Sequence, residues 1–263
     1  MSNRFSILKA IHKFTQGASG VQSKPRNRNR QLSALALMLT STLAVTGCGS
    51  SEPALPKGSI GFVGGFLGGV VADEPRAALI GRDVLSAGGT AADAVSAMYF
   101  TMAVTLPSRA GLGGGGMCVA FDQKSAKTEV LDFVANAPAS ISAAADRPSA
   151  IPGNPRGFFA LQARYGKLLW RQVIAPAEQL ARFGHPTSRS FAHDLAAIGP
   201  AILGDASART MFTAKSGVNV AREGDNIVQL ELASTLGMLR ARGVGPFYTG
   251  PFASYFVEGV QHA

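Results

Sequence analysis

Apolar residues along this chain change spacing several times, and each change marks an element. A glycine-laced apolar run over 60–72 predicts a buried strand. Pro75, with Asp73 and Glu74 just before it, suits the first turn of a helix. Ile80, Val84 and Leu85 share one face of that helix, and Gly88-Gly89 stops it. Thr90 then caps a second helix over 91–104, apolar nearly all round and therefore buried on most sides. Two short strands follow, 117–121 and 127–133, joined by the polar turn Asp122-Gln123-Lys124-Ser125.

Beyond residue 150 the spacing is mainly helical. Ile151-Pro152-Gly153 reads as a turn before a helix that runs to Tyr165. Another covers 170–183, ended by Gly184 with Pro186 beyond it. Leu232, Leu236 and Leu239 lie on one face of a helix over 229–240, and a last helix runs from Pro251 to the end. The expected class is α/β (α+β), helix-rich after residue 150.

Gly111-Leu112-Gly113-Gly114-Gly115-Gly116 matches the spacing of a dinucleotide-binding loop. That loop acts only after a strand and before a helix, where a helix N-terminus meets the phosphates. Here a helix precedes it and a strand follows, so close backbone packing is the better reading.

Charge redirects the reading of the N-terminus. The formal net charge is +9, which alone would suggest a nucleic acid or an anionic membrane as partner. Seven of the 25 basic residues precede the apolar run 32–45, and the first acidic residue is Glu52. The remaining 18 basic residues nearly balance the 16 acidic ones, so no nucleic-acid partner is expected. Basic segment, short apolar run and Thr46-Gly47-Cys48 form the three parts of an export leader. The apolar run falls short of the roughly 20 residues a spanning helix needs.

Thr46-Gly47-Cys48 resembles a lipobox, which implies cleavage after Gly47, lipidation of Cys48 and residence as a membrane-anchored lipoprotein of the cell envelope or periplasm. The other reading is an uncleaved weak anchor. The expected organisation is a leader over 1–47, a Gly/Pro/Ser-rich tether over 48–58 and a folded region over 59–263. With Cys48 lipidated, Cys118 has no disulfide partner, and its apolar surroundings point to a buried structural residue. The histidines and cysteines are scattered, so no metal is expected.

An ordered series of short matches resembles the gamma-glutamyltransferase (glutathione hydrolase) family of the N-terminal-nucleophile hydrolases. It begins with Val84-Leu85, Gly88-Gly89 and Ala91-Ala92-Asp93-Ala94, then Val104-Thr105, Pro107 and the glycine run. It continues through Ala137-Pro138, Pro152-Gly153, Gly157, Tyr165-Gly166, Pro176-Ala177, Glu223-Gly224-Asp225 and Phe247-Tyr248-Thr249-Gly250. The match covers about residues 70–257. It implies the N-terminal part of a four-layer αββα sandwich, completed by a C-terminal small-subunit-like piece. In that family a threonine freed by self-cleavage attacks a gamma-glutamyl amide, and its own α-amine serves as base. No cofactor is implied.

Two departures bear on activity. No threonine up to Ala263 stands in a self-cleavage context, so no catalytic residue is expected in these residues and the nucleophile would belong to the C-terminal piece. The family also grips the substrate carboxylate with an arginine, followed by glutamate, just before Ala-Pro. This chain has Val134 and Ala135 there, and Leu106 where a glutamate usually precedes the proline. Valine cannot replace a bidentate guanidinium, so the expected substrate is a gamma-glutamyl or other small amide. Arg109, Arg147 and Asn136 are the remaining candidates for substrate contact, each also readable as a surface or loop residue. A lipid-anchored non-catalytic module and an inactive gene fragment are the alternatives to an enzyme.

Overall fold

The computed structural model describes residues 68–139, 149–214 and 217–262, all within one compact unit, Val63–Ala263. The predicted leader and tether, Cys48 and Arg147 lie outside the described residues. So does most of the predicted strand over 60–72. Its described end, 68–72, is irregular rather than a strand, with Val71 93% exposed. Gly68 and Gly69 provide no side chain to pack across a strand pair, which weakens the segment as a strand.

Helix α1 (Pro75–Ser86) starts where Glu74 caps it, its side chain accepting from Ala77 N at 2.9 Å. Helix α2 (Ala91–Thr105) is the central helix, packed against α1 and two later helices, and twelve of its fifteen residues are buried. Its cap is reciprocal. Thr90 Oγ1 accepts from Asp93 N, and Asp93 accepts from Thr90 N. A single turn, α3 (Pro107–Ala110), leads into the glycine run.

Strands β1 (Gly116–Asp122) and β2 (Lys127–Phe133) form an antiparallel hairpin in which Val119 faces Val130. One face, with Cys118, Ala120, Leu131 and Phe133, packs on the main core. The other presents Met117, Val119, Phe121 and Val130, each more than half exposed. Cys118 is thus half-buried rather than fully buried, because it sits on the core-facing side of a strand open on the other side.

Helices α4 (Asn154–Tyr165) and α5 (Trp170–Phe183) form as their sequence spacing predicts, and Gly184 ends α5 at φ 89°. After them come β3 (His185–Pro186), α6 (Arg189–Ala197), α7 (Gly199–Gly204), α8 (Ala206–Phe212) and β4 (Asn226–Ile227), which pairs with β3. Helix α9 (Leu230–Arg242), the turn α10 (Gly245–Tyr248) and α11 (Pro251–His262) complete the described chain. The main core joins Phe100 and Val104 of α2, Phe158 and Leu161 of α4, Ile174 and Ala177 of α5, and Leu236 and Leu239 of α9. No helix among the described residues is long and apolar enough to cross a membrane.

Candidate functional site

Three backbone segments meet beside α2: the glycine run 111–116, the end of β2 with its extension 133–136, and the turn 151–154. Gly153 N and Asn154 N donate to Gly114 O at 2.9 and 3.0 Å. Asn154 Nδ2 and Tyr99 Oη donate to Gly111 O at 3.1 and 3.2 Å. Ile151 N donates to Asn136 O at 2.8 Å and ties the β2 extension to the turn. At Gly115 and Gly153 the backbones touch with no side chain between them. A Cβ on Gly115 would overlap Ala135 N, and one on Gly153 would overlap Phe133 O. This is the close packing expected of the run, and no helix follows it to hold a phosphate.

Val134 lies on the β2 extension beside Gly115 and is half exposed; its N–H donates to Asp132 Oδ1 at 3.0 Å. Asn136, two residues on, is exposed. Arg109 is committed elsewhere. Its Nε and Nη2 hold the two oxygens of Asp194 on α6, both at 3.1 Å, and Ser108 Oγ donates to the same carboxylate at 2.7 Å. The Arg109 and Ser108 hydrogen bonds hold the Asp194 carboxyl well below the usual carboxylate range, and the pairing raises Arg109 in turn. Val134 and Asn136 therefore lie exposed on the same short segment after β2, while Arg109 latches α3 to α6. Leu106 is fully buried among Phe191, Leu195 and Ile227, so at this position the chain has a core contact.

Sequence reasoning missed the residues that hold these segments. Tyr99 reads as one more apolar position of α2, yet it is the hydroxyl that meets Gly111; burial raises its pKa, so it stays a neutral donor. Asn154 follows Pro152-Gly153 and reads as turn punctuation. Arg156 stacks over the Tyr248 ring at 4.2 Å, and Tyr248 Oη donates to Pro152 O at 2.9 Å, so α10 braces the turn from behind. Only tertiary contact reveals that pair. Among the described residues no group of three or more His, Cys, Asp or Glu side chains is placed to hold a metal ion.

The Gamma-glutamyltranspeptidase family profile matches residues 77–263. Glutathione hydrolase 3 of Arabidopsis thaliana is 30% identical over 207 residues, covering 74% of this chain and 32% of that protein. The glutathione hydrolase proenzyme of Bacillus subtilis (strain 168) is also 30% identical, over 211 residues, with 74% and 35% covered. The crystal structure of Helicobacter pylori gamma-glutamyltranspeptidase superposes with a TM-score of 0.70 at 28% identity, covering 77% of this chain and 62% of that one. This chain thus spans about a third of the length of the curated relatives it matches. The profile covers well over half of the chain, and the mixed helix-and-strand fold agrees with it: the chain belongs to the gamma-glutamyltranspeptidase family.

Proposed function

We propose that this chain is the large-subunit-like part of a gamma-glutamyltransferase-type amide hydrolase or acyltransferase, completed by a C-terminal small-subunit-like piece that carries the threonine nucleophile. The observation that carries the reading is the outer face of the β1–β2 hairpin. Met117, Val119, Phe121 and Val130 are 59%, 71%, 66% and 59% exposed on one side of a sheet whose other side is core. An open, mainly apolar face of this kind, with Thr128 and Asp132 at its margins, marks an interaction surface. A second sheet laid on it would give the αββα layering that the family resemblance implies.

The glycine run, the 133–136 segment and the 151–154 turn would then line the substrate edge of the joint site. With Val134 and Ala135 in place of the arginine and glutamate of the family's grip, the acyl group favoured there has no α-carboxylate to hold. Losing such a grip costs a carboxylate ligand on the order of 2 to 5 kcal/mol. The same replacement favours the alternative, a non-catalytic module that keeps the fold. The reading further includes export through the 1–47 leader and anchoring by lipid on Cys48, supported by Thr46-Gly47-Cys48 after a short apolar run.

The test is co-expression of the full chain with a threonine-led C-terminal piece from a relative, followed by hydrolysis assays on chromogenic anilides. Release from an uncharged acyl anilide, with a weaker rate on the gamma-glutamyl anilide, supports the reading. A stable complex inert on both classes leaves the non-catalytic module, and no complex at all removes the proposal. Incorporation of labelled fatty acid, lost on Cys48→Ser, tests the anchor separately.

A further inference from the structure

We infer that the edge formed by the segment before α5 and the end of α9 is a docking surface for anionic membrane headgroups. Residues 164–171 and 239–245 contain five cationic side chains, Arg164, Lys167, Arg171, Arg240 and Arg242, and no carboxylate. Tertiary structure joins the two segments, because Trp170 Nε1 donates to Leu239 O at 2.8 Å. Arg164 and Arg240 are engaged by Glu129 and Glu178. Lys167, Arg171 and Arg242 stand exposed, and between the first two Leu169 leaves half of its apolar surface in solvent.

Folding alone accounts for part of this arrangement but not for Lys167 and Arg171. Arg242 ends α9, where a cation complements the helix dipole. Arg171 lies in the first turn of α5, with Lys167 just ahead of it and no acidic residue in that turn. Cations at that end oppose the dipole, and the buried Asp93 carboxylate beside them is already engaged by the backbone N–H groups of Thr90, Lys167 and Leu168. An anionic partner reverses that cost. Basic residues flanking an exposed leucine suit the headgroup boundary of a bilayer, where the cations meet phosphates and the leucine meets acyl chains.

The point where the chain enters the fold selects a membrane as the occupant. A Cβ on Gly68, the first described residue, would lie 3.5 Å from Leu85 near the end of α1. Just past that end, Gly88 lies beside the Lys167 ammonium, with Lys167 Nζ 4.0 Å from its Cβ position. A chain held to a membrane through residues before 68 is therefore tethered beside this edge. Each cation close to an anionic surface strengthens association about fivefold, and three together on the order of a hundredfold. This inference rests on the export and lipid-anchor part of the proposed function and not on its catalytic part, and the labelled fatty-acid test on Cys48 keeps the two failures apart.

Trp170 is the chain's single tryptophan and sits in the middle of the edge, so its fluorescence reports on this surface. The full chain is reconstituted with phosphatidylcholine vesicles, with and without phosphatidylglycerol, both carrying a nitroxide-headgroup lipid. Quenching of Trp170 at least about threefold stronger on the anionic vesicles is expected. It should fall away at high salt, since screening shortens the reach of the surface field. It should also fall away in the triple variant Lys167→Gln, Arg171→Gln, Arg242→Gln with an unchanged circular dichroism melt. Equal quenching on both vesicle types, or quenching indifferent to salt, overturns the inference whether or not the variant folds. Binding of soluble polyphosphate with no added quenching on anionic vesicles overturns it as well.

Discussion

Gln162 Nε2 on α4 donates to Asp93 Oδ1 on α2 at 3.0 Å, across a separation of 69 residues. Asp93 is fully buried, and its other oxygen accepts from Thr90 N, Lys167 N and Leu168 N at 2.9, 2.8 and 3.2 Å. One carboxylate thus caps α2 and also fixes the loop that leads from α4 into α5.

Replacing Asp93 by asparagine turns part of this acceptor cluster into a donor facing donors. The expected loss is about 2 to 4 kcal/mol, read from urea unfolding of the full chain at pH 7. Burial pushes the Asp93 pKa up, but the hydrogen bonds from Thr90, Lys167, Gln162 and Leu168 outweigh it and hold the carboxyl below its ordinary 3.8. Its contribution is therefore present above pH 3.8 and lost as pH falls below that value. The Asp93→Asn protein should show a shallower loss of stability in that acid range than the wild type. Equal acid slopes would remove the assignment.

His185 is fully buried, and its Nε2 makes no hydrogen bond among the described residues. Burial pulls its pKa below the ordinary 6.5, with Arg76 acting in the same direction, against the Pro186 carbonyl and Glu74. The fold therefore holds the neutral ring, while the unfolded chain takes up a proton near pH 6.5. Stability is complete above that pH and declines as pH falls through it toward the folded value. His185→Gln, which cannot titrate, should flatten the urea midpoint between about pH 7 and pH 5. A midpoint that still falls equally in both proteins counts against this role.

Gly115 and Gly113 make a controlled pair within one loop. A methyl group at Gly115 meets the backbone of Val134 and Ala135, which cannot rotate away, whereas nothing lies within 4 Å of a Cβ on Gly113. Gly115→Ala should destabilise by about 3 kcal/mol or more and Gly113→Ala by less than about 1 kcal/mol. Thermal melts of the two variants decide it, and similar losses would contradict the three-segment packing.

Val134 is where the proposed specificity can be reversed. Val134→Arg, made together with Ala135→Glu, should lower KM for gamma-glutamyl donors in the completed enzyme by about tenfold, since a guanidinium adds a charge-assisted grip. The rate on uncharged acyl donors should not improve. An unchanged KM ratio between the two donor classes would separate Val134 from substrate recognition.

Local chemistry in the sequence determined most of the elements. Glu74 before Pro75, Thr90 before an apolar run and Gly184 after Phe183 each satisfy or end a helix through bonds made within a few residues. The polar turn between 121 and 127 defines the hairpin in the same way. The short elements α3, α6, α7 and α8 and the pair β3–β4 were not legible, because a few residues carry too little periodicity and their partners lie far along the chain. The site divides along the same line. The sequence marked the glycine run, Val134 and Asn136 and suggested close packing. That Tyr99, Asn154 and Tyr248 hold those segments, and that Arg109 is tied to Asp194, was decided by tertiary structure alone. Each is a directional hydrogen bond or ion pair between residues 12 to 96 apart, and no local spacing encodes such a contact.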